Sequence, residues 1–133
     1  MVHRLSLRVY YEDTDLAGIV YYANYLRFIE RARTEWVREM GIDQRRLRAE
    51  AGIVFAVRRI EADYLAPARF DDMLTVETGL AQATAARVLL TQRVLRGETP
   101  LFAATVTIVA LSDTGRPARL PAAFRRALED LPR

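Results

Sequence analysis

An acidic and aromatic segment, Tyr11-Glu12-Asp13-Thr14-Asp15-Leu16-Ala17-Gly18-Ile19-Val20-Tyr21-Tyr22-Ala23-Asn24-Tyr25, runs straight into a long amphipathic stretch. A carboxylate ahead of a helix can act as general base or nucleophile. The amides that open a helix have no intrahelical partner and can polarise an electrophilic oxygen. Together these groups suit attack on an activated carbonyl. If the segment is extended, Asp13 and Asp15 point to the same side and can line one pocket. Gly18 marks either a turn with positive φ or a close approach of backbone to ligand.

Other chemistries are excluded by composition. The chain has no cysteine, which removes disulfides, thiolate metal sites and cysteine nucleophiles. It has no lysine, so every basic side chain but the single histidine, His3 near one end, is arginine. Arginine forks match phosphate geometry, although most single arginines belong to solvated surface. The net charge is only +3, and basic residues interleave with acids rather than forming a stripe, so nucleic acid is not an expected partner. No apolar run is long enough to span a bilayer, and no charged-then-apolar leader is visible. A cytoplasmic location is the expectation.

The elements that must position the acidic segment can be read from periodicity. Leu5, Leu7, Val9 and Tyr11 alternate with polar residues, as in a half-buried strand. From about Ala23 to Met40 the period becomes helical, with Tyr25, Phe28, Ile29, Ala32, Trp36, Val37 and Met40 on one broad face. Asp43 can cap a short second helix that ends at Gly52. Four runs rich in β-branched and aliphatic residues follow: Val54 to Tyr64, Met73 to Ala83, Arg87 to Leu95 and Leu101 to Leu111. Pro121 to Leu131 reads as a terminal helix. At 133 residues this is one domain over its full length, an α+β arrangement in which five antiparallel strands accompany one long helix.

The acidic segment resembles the signature of the hotdog-fold acyl-CoA thioesterases, in particular the 4-hydroxybenzoyl-CoA thioesterase group and the thioesterases encoded with the Tol-Pal envelope system. The helix words Phe28-Ile29-Glu30-Arg31-Ala32-Arg33 and Glu35, and the run Tyr64-Leu65-Ala66-Pro67-Ala68-Arg69-Phe70-Asp71-Asp72, extend the resemblance over most of the chain. It implies a five-stranded sheet wrapped around the long helix, and hydrolysis of a short-chain or aromatic coenzyme A thioester without metal or redox cofactor. It also implies a homodimer or homotetramer with the site at an interface, and an acyl carrier protein as a candidate alternative carrier.

Carried over residue by residue, the resemblance makes Asp15 the catalytic carboxylate, with base and nucleophile both open. Tyr22 is its partner through the backbone N–H, which would stabilise the oxyanion. Many Tol-Pal-associated members have histidine at that position, whereas this chain shares tyrosine with the 4-hydroxybenzoyl-CoA branch. Asp13 is implied to shape the loop. Gly18 and Tyr25 are candidate pocket residues, although Tyr25 equally fits the core. Arg58, Arg59, Arg87 and Arg93 are candidate contacts for coenzyme A phosphates, with Arg58 and Arg59 on opposite strand faces. Glu30 and Glu35 are rival carboxylates, and pairing of Arg31 with Glu35 along the helix is the simpler account of the latter. Arg69, Asp71 and Asp72 read as a charged turn. A hydratase would need histidine beside a carboxylate, and His3 is badly placed for it. The alternative reading is a non-catalytic acyl-CoA-binding or envelope-complex protein of the same fold.

Overall fold

The computed structural model describes residues 2–131. Its first strand, β1 (His3–Arg8), is followed by a 3-10 turn at Tyr11–Asp13 and then by α1 (Asn24–Glu39). After α2 (Gln44–Ala51) come β2 (Ile53–Tyr64), β3 (Met73–Ala83), β4 (Arg87–Arg96), β5 (Thr99–Ser112), β6 (Pro117–Ala118) and α3 (Ala122–Glu129). The five long strands form one antiparallel sheet in the order β1-β3-β4-β5-β2. α1 lies against β1, β3 and β4. The helix and four runs follow the expected periodicities, with two exceptions.

The alternation from Leu5 to Tyr11 does not make one strand. Asp13 accepts the Tyr10 N–H through Oδ2 at 2.8 Å, which bends the chain into the 3-10 turn and leaves Tyr11 exposed. The sixth strand, β6, pairs only Pro117 and Ala118 with Leu111 and Ala110, too short a piece to carry a period.

One row of side chains from each strand faces α1. Leu74 and Val76 on β3, Val88, Leu90 and Val94 on β4, and Phe102, Ala104 and Val106 on β5 join Phe28, Ile29, Ala32, Trp36 and Val37 in a single core. α3 closes one end, with Phe124 against Phe55 and Trp36 at ring separations of 4.9 and 6.4 Å. Gln92 interrupts the apolar row of β4. It is fully buried, and its Nε2 donates to the Ile29 carbonyl of α1 at 3.0 Å and to Oγ1 of Thr78, its partner across β3, at 2.9 Å. Its Oε1 accepts from the half-buried Arg33 guanidinium at 3.0 Å. These bonds fix the height and rotation of the helix over the sheet, which apolar packing alone does not specify.

Gln92→Leu keeps the volume but strands the Thr78 hydroxyl and the Arg33 guanidinium. The expected loss is about 2 kcal/mol of stability, read by urea denaturation at fixed protein concentration. An unchanged midpoint and slope would show that Gln92 does not anchor the helix.

Candidate active site

The acidic signature folds as a small hairpin. Thr14 and Val20 form a bridge, the Asp15 N–H donates to the Ile19 carbonyl at 2.9 Å, and the Tyr21 N–H donates to the Asp13 carbonyl at 2.9 Å. The tip turns at Gly18, whose φ of +81° suits glycine and whose N–H donates to the Asp15 carbonyl at 3.0 Å. A Cβ there would meet no protein atom within 4 Å, so within the chain it is the positive φ of the turn that calls for glycine.

Asp15 is exposed on the first arm. Its Oδ1 accepts the Ala17 N–H at 2.9 Å, and its Oδ2 has no partner among the described residues. The carboxylate is therefore oriented by the turn with one oxygen left for chemistry. Asp13 differs: it is only 5% exposed and spent on Tyr10 N–H and on Asn24 Nδ2, the latter at 2.9 Å. The extended segment that would bring both aspartates into one pocket is broken by the 3-10 turn, and Asp13 faces inward while Asp15 faces out. The loop-shaping role implied for Asp13 is what its bonds describe.

Tyr22 lies on the second arm, two residues ahead of α1 rather than within its first turn. Its N–H donates to nothing among the described residues. The Tyr22 carbonyl accepts the Tyr64 hydroxyl at 2.9 Å, and burial raises the Tyr64 phenol above its ordinary value, which favours the donating form. Tyr64 also stands edge-on to Tyr22, Tyr25 and Phe102. Sequence reasoning assigned Tyr64 and Asn24 no role, because bonds from Tyr64 to Tyr22 and from Asn24 to Asp13 exist only once the chain has folded.

Tyr25 belongs to the core. It is 3% exposed, stacks on Phe102 with centroids 5.1 Å apart, and accepts the Ala68 N–H at its hydroxyl, so it does not line an opening in this chain. Arg93 and Arg4 both bind Glu77 on β3, at 2.7 and 3.1 Å, and Arg93 foremost holds that carboxyl below its ordinary range. Arg59 pairs with Glu61 at 2.7 Å. A bulge between Val57 and Arg59 breaks the strand alternation, so the opposite facing expected for Arg58 and Arg59 does not apply. Arg87 begins β4, whereas Val94 on the same strand lies in the row of Phe102 and Tyr64. At about 3.3 Å per residue, Arg87 and Arg93 stand about 20 Å apart along β4, so one chain does not bring all four arginines to a single phosphate. On α1, Glu35 pairs with Arg38 instead of Arg31, whose guanidinium sits 6.0 Å from the Phe28 ring. Glu30 accepts the Thr34 hydroxyl and, with Arg33, Trp36, Phe55 and Ile108, lines a cavity of about 220 Å³.

Residues 9–128 match the profile of the Thioesterase-like superfamily. The chain belongs to this superfamily. It is similar to the acyl-CoA thioesterase YbgC of Haemophilus influenzae, at 42% identity over 127 residues, 94% of this chain and 93% of that protein. Its structure is similar to a probable thioesterase from Bartonella henselae, with 38% identity, a TM-score of 0.88, and coverage of 91% of this chain and 100% of the other. A 1,4-dihydroxy-2-naphthoyl-CoA thioesterase from Synechocystis matches with 25% identity and a TM-score of 0.89 over 98% of each chain. The hotdog architecture expected from the signature is thus the architecture of this superfamily member.

The hairpin is docked onto the turn before β3. Val20 N–H donates to the Ala68 carbonyl at 2.8 Å, and Ile19 bridges to Arg69. That turn is tied by Asp72, which accepts the Arg69 N–H and the Arg96 guanidinium, each at 2.9 Å, while Asp71 adopts a positive φ and binds Arg8. Burial pulls the Asp72 carboxyl upward, but the Arg69 amide and Arg96 outweigh it and hold the group below its ordinary value. A lowered folded value stabilises the protein above the unfolded carboxylate range and ceases to do so as pH falls through the folded value. The stability gap between the parent and Asp72→Asn should therefore be open near neutrality and close in strong acid. Denaturation midpoints from about pH 7 to about pH 2 test this, and a gap independent of pH would contradict it.

Proposed function

We propose that this superfamily member hydrolyses the thioester of an acyl-coenzyme A to a free acid and a thiol, with Asp15 and the Tyr22 amide as its working groups. The observation that carries this reading is one hairpin presenting a carboxylate oxygen on one arm and an N–H on the other, both without a partner among the described residues. As a general base, Asp15 takes a proton from water while the water oxygen attacks the carbonyl carbon. As a nucleophile, it forms a mixed anhydride that water then opens. In both routes the carbonyl oxygen gains negative charge facing the Tyr22 N–H, the C–S bond breaks, and the departing sulfur takes a proton. A short-chain or aromatic acyl group is the substrate class that the resemblance implies.

The whole chain acts as one domain, in the cytoplasm and without a cofactor. No described helix is long and apolar enough to cross a membrane. The active form is a homodimer or homotetramer. β2 is an unpaired edge of 12 residues carrying exposed Val57, Ile60 and Tyr64, an apolar row that a second copy would cover. The site then lies at the interface between copies, as the resemblance implies. An acyl carrier protein can present the same thioester and is the alternative substrate carrier. A second reading places the carboxylate at Glu30, whose cavity on α1 favours it.

Thiol release from a panel of acyl-CoAs, followed with a chromogenic thiol reagent, distinguishes these readings. Asp15→Asn should lower turnover by roughly 10²-fold or more, while Glu30→Gln and Tyr22→Phe retain most of it because neither removes the Asp15 carboxylate or the backbone donor. Near-parental activity in Asp15→Asn, with loss in Glu30→Gln, would move the chemistry to the helix. Turnover of no acyl-CoA would favour the non-catalytic binding protein.

Ile60→Arg should separate the protomers in sedimentation velocity and abolish turnover in the same samples. A fully active monomer would refute the shared site.

A further inference from the structure

Asp13 and Asn24 are buried at 5% and 8% exposure, and their side chains bind within the chain. Their bonds hold Tyr10, Tyr21 and each other, on either side of the segment that carries the two working groups. The Asp13 side chain accepts from Asn24 Nδ2 at 2.9 Å and from the Tyr10 N–H at 2.8 Å, and its carbonyl accepts from the Tyr21 N–H at 2.9 Å. Asn24 uses its own N–H to bind the Tyr21 carbonyl at 2.8 Å.

That last bond is a main-chain bond and decides a direction, and the side-chain tie from Asn24 to Asp13 fixes where its donor stands. The Tyr21 carbonyl and the Tyr22 N–H belong to one planar trans peptide and point opposite ways. Holding the carbonyl toward Asn24 turns the Tyr22 N–H away from the helix and toward the open side of the hairpin. The Tyr22 and Ala23 carbonyls are also held, by the Tyr64 hydroxyl and the Leu26 N–H. Asp13 is also two residues from Asp15 and fixes the arm that carries it.

We infer that Asp13 and Asn24 form a buried positioning pair which sets the spacing and direction of the Asp15 carboxylate and the Tyr22 N–H relative to each other. The inference rests on the thioesterase reading of the same hairpin. A structural tie with no catalytic consequence would hold the hairpin closed but would leave kcat unchanged in folded protein. A positioning pair acts on the transition state, so its loosening falls on kcat with KM little changed.

The experiment is a swap. Asn24→Asp sets two carboxylates against each other in a buried place and should lower kcat by roughly 10²-fold, the scale of a 1 Å misplacement. Adding Asp13→Asn restores the complementarity with donor and acceptor exchanged: the amide oxygen takes the Tyr10 N–H, and the amide nitrogen donates to the carboxylate introduced at position 24. The double variant should recover to within about tenfold of the parent, since the exchanged pair regains the lost orientation. Because Asn24→Asp can fail to fold, Asn24→Leu serves as a second variant that removes the tie without adding charge, with kcat expressed per folded molecule from circular dichroism.

A second readout needs no turnover. In ¹⁵N relaxation, the Tyr22 and Ala23 amides should be rigid in the parent, with an order parameter of about 0.85, and fall below about 0.6 in Asn24→Leu. A folded Asn24→Leu with parental kcat, or a double variant no better than Asn24→Asp, would overturn the inference. If the parent hydrolyses no acyl-CoA, the thioesterase reading fails, and the relaxation result still decides whether the pair sets the amide.

Discussion

The site depends on α1 being held at one height over the sheet, and a single buried amide does much of the holding. Apolar rows of the kind presented by Leu74, Val76, Leu90 and Phe102 tolerate a helix that slides or rotates by part of a turn. Gln92 does not, because its amide is satisfied only when the Ile29 carbonyl, Thr78 and Arg33 all stand where they do. A buried polar network selects one arrangement among many that hydrophobic contact would allow. Since Asn24 begins the same helix, its place beside Asp13 is set by this constraint acting further along it, at Ile29 and Arg33.

From that fixed start the chain works backward to the site. Asn24 binds Asp13 and the Tyr21 carbonyl, Asp13 binds Tyr10 and Tyr21, and the Asp15 turn hangs from the arm so defined. The outer edge of the hairpin is secured by Ala68 and by the turn that Asp72 ties to Arg96. An exposed carboxylate and an amide without a partner among the described residues are therefore carried on loop backbone that is braced on both sides. This is the requirement for donors that must not reorganise as charge develops.

What was legible in the sequence follows from periodicity. The 3.6-residue stripe from Tyr25 to Val37 and the alternation in β3, β4 and β5 record burial on one face, and the elements appear where those periods do. The strand ending at Arg8 was not legible, because Asp13 ends the extended conformation through a side-chain bond that alternation does not register. The Val57–Arg59 bulge and the two-residue β6 leave no period either. In the site, the resemblance pointed to Asp15 and Tyr22, whereas Tyr64, Asn24 and Gln92 act through bonds to partners far along the chain or in another element. Tyr25, readable either as core or as pocket, packs in the core of this chain against Phe102.

One hairpin, braced in this way, would place a thioester between the Asp15 carboxylate and the Tyr22 N–H. A crystal structure of Asp15→Asn with an intact acyl-CoA tests this directly, since the variant should bind without turnover. The thioester carbonyl oxygen should lie about 3 Å from the Tyr22 nitrogen, with the carbonyl carbon facing the residue 15 side chain. A carbonyl oxygen held by other donors, or a carbonyl carbon turned toward Glu30, would contradict it.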